Sequence, residues 1–184
     1  MEERTLGNYD IHDAAHLLKG LKETREKLLE VISDIDTDDL HYKHSGLPSI
    51  GGYLLHIAQI ELWWAKTVLL EQNLSESDKE HFFFNEDQKI TAPEDKELSW
   101  FQARLAEARA LTRGYYNQLS DVDFRNPTKR AILEGKEVFC SPEWVIYHLI
   151  DHESYHRGQI GMLLKLIAGK REKWDHFNTP YLSL

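Results

Sequence analysis

Apolar residues return every three or four positions through four long stretches of this chain, and that period commits each stretch to a helix with one side to bury. In the first, Ile11, Ala14, Leu18, Leu21, Arg25, Leu28 and Ile32 recur at helical intervals from Tyr9 to Asp13 onward, reaching about Ser33. The second opens after Gly46-Leu47-Pro48-Ser49, where the Ser49 hydroxyl can cap the first turn. Leu54, Leu55, Ala58, Ile60, Leu62, Trp63 and Val68 carry it to about Glu71. The third runs from Leu98 to Leu119 through Phe101, Leu105, Ala108, Leu111 and Tyr115. The fourth starts at Ser141-Pro142, a cap followed by the residue whose missing amide matters least in a first turn. It continues through Trp144, Ile146, Leu149, Ile150, Ile160, Leu163, Leu164 and Ile167 to a C-cap at Ala168-Gly169.

The connections differ in length and character. Asp34 to Asp39 is an acidic link. Asn73 to Lys96 sets Phe82-Phe83-Phe84 among Asp, Glu, Ser and Pro, which predicts a connection wrapped over the core with one short helix in it. Between Asp121 and Cys140, Ala131-Ile132-Leu133, Glu134-Gly135-Lys136 and Val138-Phe139 read as a small hairpin or an ordered covering loop. In the tail Lys170 to Leu184, Trp174, Phe177, Pro180 and Tyr181 are suited to folding back on the body. Four amphipathic helices bury their apolar sides most simply against one another. The expected fold is therefore all-α: a four-helix bundle with a long crossover connection and a small hairpin before the fourth helix, in a single domain over residues 1–184.

Charge and cysteine content bound the function. The 184 residues carry 22 Lys and Arg against 31 Asp and Glu, a formal charge of −9 that argues against a nucleic-acid surface. Cys140 is alone, so neither an intrachain disulfide nor a cysteine zinc cluster is available. Met1 to Asp10 lacks the basic and apolar regions of a signal peptide, and no uninterrupted apolar run is long enough to span a bilayer. A cytoplasmic protein without membrane or nucleic-acid partners is expected.

Ten histidines matter only where their spacing converges. His152 and His156 lie four residues apart on the fourth helix, one above the other, as two ligands of one ion would be. His148 and His152 share the same spacing, so the pattern alone leaves both pairs open. His56 sits in the apolar run Tyr53-Leu54-Leu55-His56-Ile57-Ala58, where a buried imidazole requires a partner. Imidazoles suit zinc, nickel, iron or cobalt better than calcium or magnesium. His12 and His16 form a third such pair with a polar flank, which fits a solvated face or a pocket rim. His41 and His44 read as loop surface, and His81 and His176 have no ligand pattern near them.

Leu55-His56-Ile57-Ala58 in the second helix and His148-Leu149-Ile150-Asp151-His152-Glu153-Ser154-Tyr155-His156-Arg157-Gly158-Gln159-Ile160 in the fourth resemble the DinB/YfiT-like family, whose members look like metal-dependent enzymes. The His-x-x-x-His-Arg-Gly-Gln run is the more specific of the two. The resemblance implies a facial site with His56, His152 and His156 as ligands of a divalent transition metal, zinc or nickel, and a further position for water or substrate. It also implies a reaction: transfer of a low-molecular-weight thiol cosubstrate to an electrophilic small molecule, directed by the metal held on these three histidines. Metal-dependent hydrolysis is the alternative within enzymes, and a non-catalytic metal- or ligand-binding stress-response protein is the alternative outside them. A homodimer is compatible with the bundle.

Several neighbours of the histidines admit two readings. Gly52 and Trp63 share the face of His56, lining a site or packing closely in the core. Gln59 and Gln159, each three residues beyond a histidine, can orient an imidazole or bond elsewhere. Arg157 can meet an anionic substrate or pair with Glu153, the favoured reading. Asp151 and Glu153 flank His152 but need not face a metal, and Cys140 reads as packing more readily than as a reactive thiol. Trp63, Trp64, Trp144 and Tyr155 can wall an apolar pocket or fill the core.

Overall fold

The computed structural model describes residues 12–85 and 89–167, with the side chains of His12, Asp13 and Asp121 outside the description. Four long helices form the body: α1 (His12–Val31), α3 (Ile50–Trp63), α5 (Leu98–Tyr116) and α7 (Pro142–Leu166). Three short ones, α2 (Thr37–His41), α4 (Glu76–His81) and α6 (Asp121–Arg125), and one hairpin, β1 (Lys129–Leu133) with β2 (Lys136–Cys140), fill the connections. The all-α expectation holds. The tail expected to fold back and the Ala168-Gly169 cap lie outside the described residues, while α7 ends at Leu166.

Helix starts follow local chemistry. The Ser49 hydroxyl accepts from the Gly52 amide at 3.1 Å and the Ser141 hydroxyl from the Trp144 amide at 3.1 Å, each satisfying a first-turn donor. Pro142 stands at the first position of α7. The acidic link is partly helical, because Asp36 accepts from the Asp39 amide and starts α2. Ser75 with Asp78 forms a capping box that starts α4, the short helix expected in the long connection. The hairpin reading over 121–140 is the one realised, preceded by α6. Its two-residue turn puts Glu134 at φ 50° and Gly135 at φ 75°, the left-handed pair that matches strand twist.

The second long helix departs from regularity. Beyond Trp63 the chain winds as a π-helical segment, Trp64–Leu69, so that the Leu70 amide bonds the Ala65 carbonyl at 2.9 Å. Trp64, Ala65, Val68 and Leu69 all turn inward.

One part of the core is apolar and joins Leu28, Leu54, Leu55, Phe101, Leu105 and Ile160 from all four long helices, with Ile32 just past the end of α1. A second part gathers Leu21, Trp64, Val68, Tyr116, Phe124, Val145 and Leu149 beside the hairpin. The glycine that permits close approach is Gly51, where a Cβ would lie 3.0 Å from Phe101 Cζ; at Gly52 it would meet only ordinary contacts.

At the centre of the bundle sits a buried ionic quartet, one member from each long helix. Arg25 of α1 donates from Nε to Glu153 Oε1 at 2.7 Å and from Nη2 to Glu61 Oε2 at 2.8 Å and Glu153 Oε2 at 3.1 Å. Arg109 of α5 donates from Nε to Glu61 Oε1 at 2.5 Å and from Nη2 to Glu153 Oε2 at 2.7 Å. The remaining nitrogens cross over: Arg25 Nη1 reaches the Leu105 carbonyl of α5, and Arg109 Nη1 the Leu21 carbonyl of α1. Two guanidinium groups and two carboxylates thereby neutralise one another away from water.

Candidate metal centre

His56 projects from the middle of α3, and His152 and His156 from successive turns of α7. The helices bring the three Nε2 atoms together. His152 Nε2 lies 3.2 Å from His56 Nε2 and 3.1 Å from His156 Nε2, and ligand atoms of all three lie within 4.8 Å of one another. Nitrogens bound to one ion at about 2.0–2.1 Å stand about 3.0–3.4 Å apart, so the two measured separations suit a shared cation. A neutral imidazole offers only one proton between two nitrogens, and lone pairs crowded into one spot are best satisfied by a cation.

Charge state supports the same reading. Burial, reinforced by the neighbouring His156, lowers the His56 pKa to about 4. Burial, followed by the surrounding His156, His56 and His148, lowers His152 to about 3. Burial also lowers His156, against the opposing effect of its bond to Gln159. All three rings are therefore neutral at pH 7, the form that binds a transition metal.

Gln159 sets the tautomer of one ring. Its Oε1 stands 2.6 Å from His156 Nδ1; a carbonyl oxygen only accepts, so Nδ1 carries the proton and Nε2 keeps its lone pair toward the cluster. Gln59 does something different. Its amide donates to the Phe82 and Phe83 carbonyls at 2.7 and 3.1 Å, anchoring the long connection and leaving His56 alone.

His148 is drawn away from the cluster. Its ring stacks on Trp144 with centroids 5.1 Å apart and lies 5.0 Å from Trp64, while His152 is 6.0 Å away. The i,i+4 pair joined with His56 is thus His152 and His156. Tyr53 and Tyr155 flank His156 at 5.4 and 5.2 Å, and Tyr53 is buried, which raises its phenol pKa and keeps it a proton donor. Trp64 belongs to the core wall, whereas Trp63 is half-buried against it edge-on.

The remaining described candidate residues lie outside the cluster, and the favoured pairing of Arg157 is overturned. Arg157 does not turn to Glu153; its Nη1 donates to the Thr24 hydroxyl at 3.0 Å and the Thr24 carbonyl at 3.3 Å, while Glu153 is held by Arg25 and Arg109. The cause is rotation about α7, which turns Glu153 into the bundle and leaves Arg157 at its edge. His41 ends α2 with its Nε2 2.7 Å from the Lys96 carbonyl, and His81 meets Glu107 at 2.9 Å, so both are structural partners. His16 is exposed, and His12's side chain and His176 are outside the described residues. Cys140 is buried with its thiol directed at the Lys129 carbonyl, and burial raises its pKa, which makes it inert packing.

Comparison with known proteins adds the family. A solved structure titled the conserved protein of locus from Enterococcus faecalis shares the fold, with a TM-score of 0.65 and 17% identity over 85% of this chain and 97% of that one. No curated protein matches the chain. No described helix is long and apolar enough to cross a membrane. The DinB family model matches residues 1–180, helices and histidine cluster included, and the chain belongs to the DinB family.

Proposed function

We propose that this protein is a metal-dependent transferase that joins a low-molecular-weight thiol to an electrophilic small molecule. The observation that carries the reading is the meeting of His56, His152 and His156 through their Nε2 atoms. These residues would hold a divalent transition metal, zinc or nickel. Bound there with three neutral ligands, the metal would supply a Lewis acid that favours the thiolate form of a cosubstrate.

The chain's own residues define the rest. Three uncharged imidazoles leave positive charge at the site uncompensated, which attracts a thiolate more strongly than a carboxylate-bearing site would. Gln159 holds the His156 ring in one tautomer, and the protonated Tyr53 and the Tyr155 ring bound its surroundings. The sulfur comes from the cosubstrate, consistent with a buried Cys140.

Hydrolysis ranks second because it wants a carboxylate base beside the reacting water. Glu153 is bound by two arginines in the core, and Asp151 points to solvent.

The test is metal content and turnover. Tag-free protein should retain one transition metal per chain, and His152→Ala and His156→Ala should lose it with helical content intact. The loaded protein should consume a thiol and an electrophile together. Metal-dependent turnover of amides or esters without thiol would replace transfer by hydrolysis. Tight ligand binding without conversion would make the protein a non-catalytic binder.

A further inference from the structure

The two carboxylates of the quartet stand on the same two helices as the histidine cluster. Glu61 lies five residues beyond His56 on α3, and Glu153 lies between His152 and His156 on α7. Two carboxylates repel, so Glu61 and Glu153 cannot tie α3 to α7 by themselves. Each guanidinium touches both: Arg25 spans them with Nε and Nη2, and so does Arg109 from the opposite helix pair. All four members are almost fully buried, with side-chain exposures of 9% for Arg25, 11% for Arg109 and 2% for each glutamate. A planar fork with fixed donor directions holds angle as well as distance.

From this geometry we infer that Arg25 and Arg109 are positioning residues for the metal centre. They set the rotation and axial offset of α7 against α3, and thereby the spacing of His56 Nε2 from the two Nε2 atoms of α7. The centre tolerates little error, because coordination needs nitrogens placed to a few tenths of an ångström. Neither arginine needs to touch the metal or the substrate. The inference rests on the metal-binding reading above and deepens it: the ligand set extends through two carboxylates to helices α1 and α5, which carry none of the three histidines.

Cobalt(II) is the probe, since its visible absorption reports ligand geometry directly. Arg25→Lys and Arg109→Lys keep the charge, but a single ammonium cannot bridge two carboxylates in the guanidinium's fixed plane. Either variant, with wild-type helical content, should bind cobalt about tenfold to a hundredfold more weakly and show an altered visible band. Leu28→Ala provides the comparison: it hollows the core of α1 at a fully buried position outside the quartet, so it should lower thermal stability yet leave cobalt affinity and spectrum unchanged.

Wild-type affinity and spectrum in both lysine variants would overturn the inference, as would equal weakening in Leu28→Ala. Loss of helical content in both lysine variants would assign the quartet to the fold alone and overturn it too. Wild-type protein that takes up no cobalt would overturn the metal reading first and this inference with it.

Discussion

Replacing Gln159 tests the proposal that the site prepares its histidines to hold a metal. The wild-type amide oxygen stands 2.6 Å from His156 Nδ1 and fixes the proton there. Gln159→Leu keeps the size and removes the acceptor, so the proton can move to Nε2 and block the lone pair a metal requires. A lost hydrogen bond of this kind is worth about 1 kcal/mol, and loss of an orienting partner to a metal-binding histidine weakens affinity by about tenfold to a hundredfold. The second range corresponds to about 1.4–2.7 kcal/mol, so a tenfold loss is the lower expectation. Gln159→Glu should behave oppositely, because a carboxylate accepts the same proton more strongly and makes the imidazole a better donor to metal. Competition for zinc against a chromophoric chelator at fixed pH measures both. Equal weakening in the Leu and Glu variants, or an unchanged dissociation constant in Gln159→Leu, would refute the tautomer argument.

Arg25→Met leaves Glu153 and Glu61 short of positive charge inside the bundle, and breaking a buried ion pair on one side destabilises by about 3–5 kcal/mol. For a chain of this size that is a fall in melting temperature of about 6–20 °C, measurable by circular dichroism. Acid should weaken the metal-free protein in two stages. Burial and neighbouring histidines lower His56 to about 4 and His152 to about 3, so the unfolded chain takes protons first and stability falls as pH drops below about 6.5 toward those values. Burial alone would raise Glu61, but Arg109 and Arg25 outweigh it and lower its pKa; its contribution is present above about pH 4.3 and is lost as pH falls through the depressed value. Melting curves from pH 7 to 3 should show the upper stage flattened in the His56→Ala, His152→Ala double variant with the lower stage retained. Finally, His148→Ala should keep its metal, because His148 packs on Trp64 and Trp144; loss of metal in a folded variant would place it in the centre after all.

The architecture was legible because the helices are amphipathic and their starts are chemically marked. Ser49, Ser141 and Pro142 announce two helices, and Glu134-Gly135 announces the hairpin turn. The same logic bounds the short helix expected in the long connection and could have found α6, since Ser75 with Asp78 and Ser120 with Asp123 both place a capping oxygen three residues ahead of its partner. The cluster of His56, His152 and His156 came from a resemblance in short motifs, because spacing alone could not choose between His148 and His156. Rotation about α7 makes that choice, and only packing fixes rotation.

The quartet was missed for a related reason. Arg25 appeared as one more member of a periodic face and Glu153 as a neighbour of Arg157, since pairing within a helix is the local expectation. The overlooked signal was Glu61 in Ile60-Glu61-Leu62-Trp63, a charge in an apolar run that demands a distant base. The π-helical segment left no comparable trace, as Trp64, Ala65, Val68 and Leu69 also fit a regular helix.

The quartet also bears on the order in which the chain can become native. During synthesis α1, α3 and α5 emerge before α7, and together they carry Arg25, Arg109 and Glu61, two positive groups against one negative. Closing a core around that excess would bury an uncompensated charge, so the first three helices gain little by docking early. Glu153 arrives with the last helix and removes the obstacle in the same event that brings His152 and His156 to His56. Assembly of the bundle and the meeting of the three histidines should then be a single cooperative step, and truncation before α7 should leave a chain that collapses without acquiring fixed packing.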